Sequence, residues 1–284
     1  MYNSIMYNNN DNQINSSYSK TNENYIDIEI GHENQVNNNL TQLLVNTGLF
    51  DYIKNVYFYT GIGWSILLIS AEIMSLSINS NNINLLFWIY LLIGFGLTIF
   101  TMIFASASTD TITLENGSKK EIIPWWKIIS YLLFSFSLGL MISPAIFTVN
   151  KQNQIIFPIC ICVTNAIFGV MSIFTWTRKN MDGIELYGPL MSCVSGLIVL
   201  GIIEIILACL GFDKIVCLLS LGTSLISIIV FSGLIFVDTL KAIESYNKSE
   251  LNAIRCAVEI VLDLVNILLD LLRILSYFFA NSDD

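Results

Sequence analysis

Long apolar runs alternate with short polar joins along most of this chain. The runs cover about Tyr57–Ile78, Leu85–Ala105, Ile128–Val149, Ile155–Thr177, Pro189–Leu210, Ile215–Val237 and Leu251–Tyr277. Each is close to the ~20 residues that carry an α-helix across a hydrocarbon core. Barrel strands would be about half as long and would alternate apolar with polar positions. Most joins are short and carry Asn, Gln or Gly, so successive helices are expected to run antiparallel. The pattern predicts an all-α integral membrane protein, a bundle of seven transmembrane helices spanning 47–284. The last run either crosses the bilayer or dips in and returns.

The segment before the first run reads differently. Residues 1–46 are dominated by Asn, with Asn8-Asn9-Asn10 and Asn37-Asn38-Asn39, and show no period that would organise a packed core. We read them as a disordered tail, and not as a signal peptide, since a basic start and an apolar centre are both missing. Leu43, Leu44, Leu49, Phe50 and Ile53 suggest an amphipathic lead-in lying on the membrane surface.

Composition agrees with a membrane protein. Of 284 residues 54% are hydrophobic and only 12% charged. The net charge of −9, with no cluster of more than two adjacent basic residues, argues against nucleic-acid binding. His32 is the single histidine and lies in the tail, which argues against a His-based triad or a common zinc site. Cys160, Cys162, Cys193, Cys209, Cys217 and Cys256 lie in or beside apolar runs and read as small packing residues. No cofactor is expected.

Basic residues orient the chain. With the N-terminus in the cytosol, Lys20, Lys54, Lys119, Lys120, Lys127, Arg178, Lys179, Lys241 and Lys248 all fall on the cytosolic side. Only Lys151 and Lys214 fall on the other, so the N-terminus is expected inside.

The last run carries the chemistry. Arg255, Glu259, Asp263, Asn266, Asp270 and Arg273 advance by four, four, three, four and three residues. That is five turns of one helical face. Ionisable groups inside a membrane usually face a bundle interior or a watery path. The same stripe on a surface helix would instead be a run of local i,i+4 pairs. Asp238 ends the sixth run, with helix-compatible sequence to about Tyr246 and a cap expected at Asn247 with Glu250, or at Ser249. A reversal near Ser249–Leu251 would set Asp238 and Asp263 at similar depth. Two carboxylates in one low-dielectric site cannot easily both ionise, so the pair would titrate as a unit. A reversal at Asn247 would instead part them by about two turns. Glu72 and Glu204 are further in-span acids, each either lining an ion path or hydrogen-bonded to a neighbouring helix.

Several short patterns occur in one order. They are Ile53-Lys54-Asn55-Val56-Tyr57, Ser137-Leu138-Gly139-Leu140-Met141-Ile142-Ser143-Pro144, and Thr164, Phe168, Met171-Ser172 through Thr177-Arg178-Lys179 to Asp182. Phe231-Ser232-Gly233 with Asp238-Thr239, and Leu262-Asp263-Leu264-Val265-Asn266 with Leu271-Leu272-Arg273, complete the set. From about Phe50 onward the chain resembles the Bax-inhibitor, or transmembrane Bax inhibitor motif, family. The resemblance implies seven helices, cell-death suppression and calcium-store regulation in eukaryotic members, and a pH-sensitive calcium leak in bacterial ones. It implies that Asp238 and Asp263 form the hydrogen-bonded pair that latches the pore. Calcium is then the permeant ion, and the bilayer and cell-death regulatory membrane proteins the partners. For a eukaryotic chain the endoplasmic reticulum or Golgi is expected rather than the plasma membrane.

The chain departs from the pattern at Val237 and Val261, where the family commonly has aromatic residues. It also has no arginine in Leu85–Ala105 or the loop after it, where some bacterial members place one that reaches the pair; Lys119, Lys120 or Lys127 would substitute only if that loop folds back. Arg255 and Arg273 are candidates for latch support, and Glu204, Glu259, Asn266 and Asp270 for pore lining. Calcium prefers several oxygen ligands, which points to the Asp238–Asp263 region. The rivals are a non-conducting scaffold that suppresses apoptosis through partners and an intramembrane aspartyl protease. The protease lacks support, because Ile260-Val261-Leu262 stands where Gly-x-Gly would precede the second acid, and no enzyme activity is expected. A G-protein-coupled receptor is disfavoured, since neither Asp-Arg-Tyr nor Asn-Pro-x-x-Tyr occurs.

Overall fold

A computed structural model describes residues 48–78, 83–113, 119–178 and 183–280. The Asn-rich tail expected at 1–46 lies outside the described residues. Seven helices follow: α1 (Gly48–Ser77), α2 (Ile83–Ala105), α3 (Trp125–Gln152), α4 (Ile156–Thr177), α5 (Gly183–Cys209), α6 (Asp213–Lys248) and α7 (Ala253–Ala280). Each predicted apolar run is helical. Five of them, α1, α3, α4, α5 and α6, are long and apolar enough to cross a membrane by length and composition. The apolar stretch Leu92–Ala105 belongs to α2, and the charged stripe sets α7 apart from the five.

The outer surface is far more apolar than that of a water-soluble bundle. Helix α5 shows Ile198, Ile202 and Ile205 on its outer surface, more than half exposed, as a hydrocarbon solvent permits. Helix α7 has the most charged face yet is the best buried, packed against α3, α4 and α6. Aliphatic side chains at the periphery, with Asp238, Asp263 and Asp270 buried between helices, suit a bilayer.

The all-α bundle carries one small addition. Between α2 and α3 lies a two-stranded antiparallel hairpin, β1 (Asp110–Thr113) and β2 (Lys119–Ile122). Thr111-Ile112-Thr113 is rich in β-branched residues, and Asn116-Gly117, between the strands in sequence, is a pair that favours tight hairpin turns. The apolar-run criterion was too coarse to register strands of four residues.

Two boundaries also differ from expectation. Leu49 and Ile53 do not form a separate surface lead-in. They are buried in the first turns of α1, while Leu43 and Leu44 lie outside the described residues. The cap of α7 is Asn252 rather than Asn247 or Ser249, because its Oδ1 accepts from the backbone N of Arg255 at 3.0 Å. Ser249 instead ends α6 in the left-handed conformation, φ 65°.

Close approaches lock α1 to the bundle. A Cβ on Gly139 of α3 would run into the Leu67 carbonyl of α1. Tyr131 Oη donates to the Tyr59 carbonyl at 2.7 Å, and Trp64 Nε1 to Asn165 Oδ1 of α4 at 3.0 Å. These contacts hold the frame around α6 and α7.

Candidate functional site

The reversal at 249–252 returns α7 antiparallel to α6 and brings Asp238 and Asp263 together. Both are buried, 7% and 6% exposed, and their carboxyl groups are within hydrogen-bonding reach. With both ionised neither can donate, and Asp263 Oδ2 is then a buried oxygen with no partner. One shared proton removes that defect. Val237 and Val261 beside them are fully buried, and Phe236 packs on Phe174 of α4, ring centroids 5.2 Å apart.

The cation at the pair is one that sequence reasoning missed. Lys241 Nζ lies 2.8 Å from Asp238 Oδ1 and 3.5 Å from the ring centroid of Tyr187 on α5. Lys241 is three residues beyond Asp238 on the same helix, a spacing at which side chains meet, yet it had entered only as an orienting charge. Lys119 and Lys127 do not reach the pair, although the segment between α2 and α3 does fold back. Lys119 Nζ donates to the Tyr246 and Asn247 carbonyls, and the fully buried Lys127 to Ala107 O and Asn252 Oδ1.

Neither expected arginine forms an ion pair with Asp238 or Asp263. Arg255 is mostly exposed and pairs with Glu259 at 3.3 Å. Glu259, one turn before Asp263, feels the charges of Asp238 and Lys241. Arg273 lies beyond Asp263, where its Nη1 is 3.9 Å from Glu204 Oε2 and 3.4 Å from Ser224 Oγ.

Arg273 thereby belongs to a second polar cluster formed by α5, α6 and α7. Thr223 Oγ1 donates to Glu204 Oε1 at 2.7 Å, and Asp270 lies beside the hydroxyls of Ser224 and Ser227. Glu204, which lacked an evident partner in sequence, has two. Glu72 takes a hydrogen bond from Asn150 Nδ2 at 3.4 Å, the neighbouring-helix alternative of the two readings.

Two cavities flank the paired acids. One, of about 680 Å³, lies at the α6–α7 joint and is lined in part by Lys241, Glu244, Arg255 and Glu259. The other, of about 510 Å³, is lined in part by Glu204, Thr223, Ser227, Asn266, Asp270 and Arg273. The α7 stripe runs from the first to the second, and Asp263 sits between them. Among the described residues no three His, Cys, Asp or Glu side chains converge as a metal site. The described cysteines are free thiols, with Cys160 and Cys256 buried and Cys256 Sγ 3.7 Å from Tyr52 Oη.

Comparison with curated proteins returns no match. Residues 49–280 match the family described as inhibitor of apoptosis-promoting Bax1. That span takes in all seven helices, both aspartates and the whole α7 stripe, and the chain is a multi-pass membrane protein of the Bax-inhibitor family.

Proposed function

We propose that this protein is a pH-sensitive, calcium-permeable leak channel that regulates a calcium store, with all seven helices crossing the membrane and the N-terminus in the cytosol. Suppression of apoptosis, the role its family membership suggests, would then follow from control of the store. One observation carries the reading: a buried carboxyl pair stands between two cavities, each lined in part by ionisable side chains, on the most buried helix of the bundle.

Charge assigns the proton. Lys241 compensates Asp238, so Asp238 holds the negative charge, and Asp263, with no cation on it, holds the proton and donates it to Asp238. That bond ties α6 to α7 and closes the path. Removing the proton leaves two charges in a poorly screened site, with Glu259 adding a third nearby. Repulsion then separates the helices and exposes carboxylate oxygens to calcium. Flux therefore rises as pH rises through the shared titration. Arg255 stays with Glu259 and acts at the mouth of the first cavity, while Asn266, Asp270 and Glu204 line the second.

Purified full-length protein in liposomes carrying a calcium indicator tests this reading. The expected result is calcium entry above that of protein-free liposomes, increasing from acidic to mildly alkaline pH. No entry at any pH would reject the channel and leave the non-conducting scaffold that suppresses apoptosis through protein partners.

A further inference from the structure

The hairpin has two faces with different work to do. Asp110 pairs with Ile122, Thr111 with Glu121, Ile112 with Lys120 and Thr113 with Lys119. Cross-strand partners share a face, and successive residues alternate. One face therefore carries Asp110, Ile112, Lys120 and Ile122, and the other Thr111, Lys119 and Glu121.

The second face grips the α6–α7 joint. Lys119 Nζ donates to the Tyr246 and Asn247 carbonyls at the end of α6, both at 3.2 Å. Glu121 Oε2 accepts from the backbone N of Ala253, the first residue of α7, at 2.9 Å. Its other oxygen accepts from Thr109 Oγ1, which also bonds the Leu251 carbonyl at 2.7 Å. Each end of the reversal is thus tied to the same strand.

The first face is open over about half of its apolar surface. Ile112 and Ile122 are 47% and 50% exposed, on either side of Lys120. Three residues beyond β2, Trp125 opens α3 at 74% exposure. Tryptophans concentrate at the membrane–water boundary, so Trp125 sets the level of that boundary and places β2 beside it. Aliphatic side chains with a lysine between them fit the headgroup zone, the apolar groups inserting and the ammonium reaching phosphate.

We infer that the outer face of the hairpin rests on phospholipid headgroups of the leaflet where α3 begins, and that its inner face transmits this contact to the α6–α7 joint. The surface continues the bilayer-facing side of α3 and takes lipid, not protein, as its partner. Consequences for flux rest on the proposed channel; the lipid contact and the steadying of the joint do not.

The test uses the full chain in phosphatidylcholine nanodiscs, with p-benzoylphenylalanine placed at Ile112 or Ile122. Illumination should yield phospholipid adducts at both positions. Failure to capture lipid at both 112 and 122 would overturn the surface. In parallel, Ile112→Asp/Ile122→Asp should speed amide exchange across 249–255 about tenfold, the worth of one or two lost hydrogen bonds, with α4 unchanged. Lys119→Ala should do the same from the inner side. If exchange in α4 also rises, the milder Ile112→Ser/Ile122→Ser replaces the first variant. Wild-type exchange at the joint in a folded outer-face variant would overturn the coupling.

Discussion

The two polar sites along α7 contain similar residues and differ in how their charges are satisfied. At the cluster of Glu204, Asp270 and Arg273, each acid has hydroxyls beside it: Thr223 donates to Glu204, and Ser224 and Ser227 lie next to Asp270. The guanidinium of Arg273 supplies the opposite charge. At the pair of Asp238 and Asp263, Lys241 serves one carboxyl and leaves Asp263 Oδ2 short of a donor. A hydroxyl can donate to a carboxylate or accept from a carboxyl, so the first site is satisfied in either state, whereas a carboxyl pair is satisfied only when a proton is present. On the proposed mechanism it is therefore the second site whose contact between α6 and α7 depends on a proton.

Perturbing the responsive site should have the larger effects. Asp238→Asn removes the acceptor charge that makes the pair sensitive to protons and strands Lys241. Calcium flux in liposomes should then vary within about twofold across the pH range in which the wild type is strongly regulated. Lys241→Met keeps both acids but takes away the cation that favours ionisation. The pH response should persist with its midpoint moved up by about one unit, since an opposite charge at this distance favours the charged form and is partly screened here. A midpoint that stays put or falls would contradict the assignment of Lys241 to the pair.

Smaller effects are expected at the second cluster. Arg273→Gln leaves Glu204 and Asp270 uncompensated in their cavity, which should raise cation flux about two- to threefold without moving the pH midpoint. A shifted midpoint would mean that the two sites are one electrostatic unit. The smallest effect should come from removing residues 1–36, whose sequence offers little apolar surface to bury. Helicity, detergent solubility and flux should match those of the full chain, as circular dichroism, gel filtration and the liposome assay would show.

What the sequence revealed and what it hid follow from the range of each interaction. The helices were legible because bilayer thickness imposes a length that apolar runs display directly, and α1 through α7 lie where those runs predict. Asp238 and Asp263 were legible as neighbours because both are a similar number of residues from the reversal. The partners of Glu204 were not, because Thr223 and Arg273 reach it from two other helices, and helix rotation leaves no mark on spacing. Lys241 illustrates a different loss. Its spacing from Asp238 was in plain view, but a lysine near a helix end reads first as an orienting charge. The cap at Asn252 was hidden because Glu121 and Lys127, which share in fixing that joint, are remote in sequence.

The central claim is that a proton shared between Asp238 and Asp263 closes the path, and it is most directly tested by the pH profile of calcium flux through Asp263→Asn in liposomes. The amide of the variant can still donate to Asp238 but cannot become the second charge. The predicted result is a flat profile across the wild-type titration, at whatever absolute rate the loss of a carboxylate leaves. A profile that keeps the wild-type midpoint and amplitude would show that the pH sensor lies elsewhere.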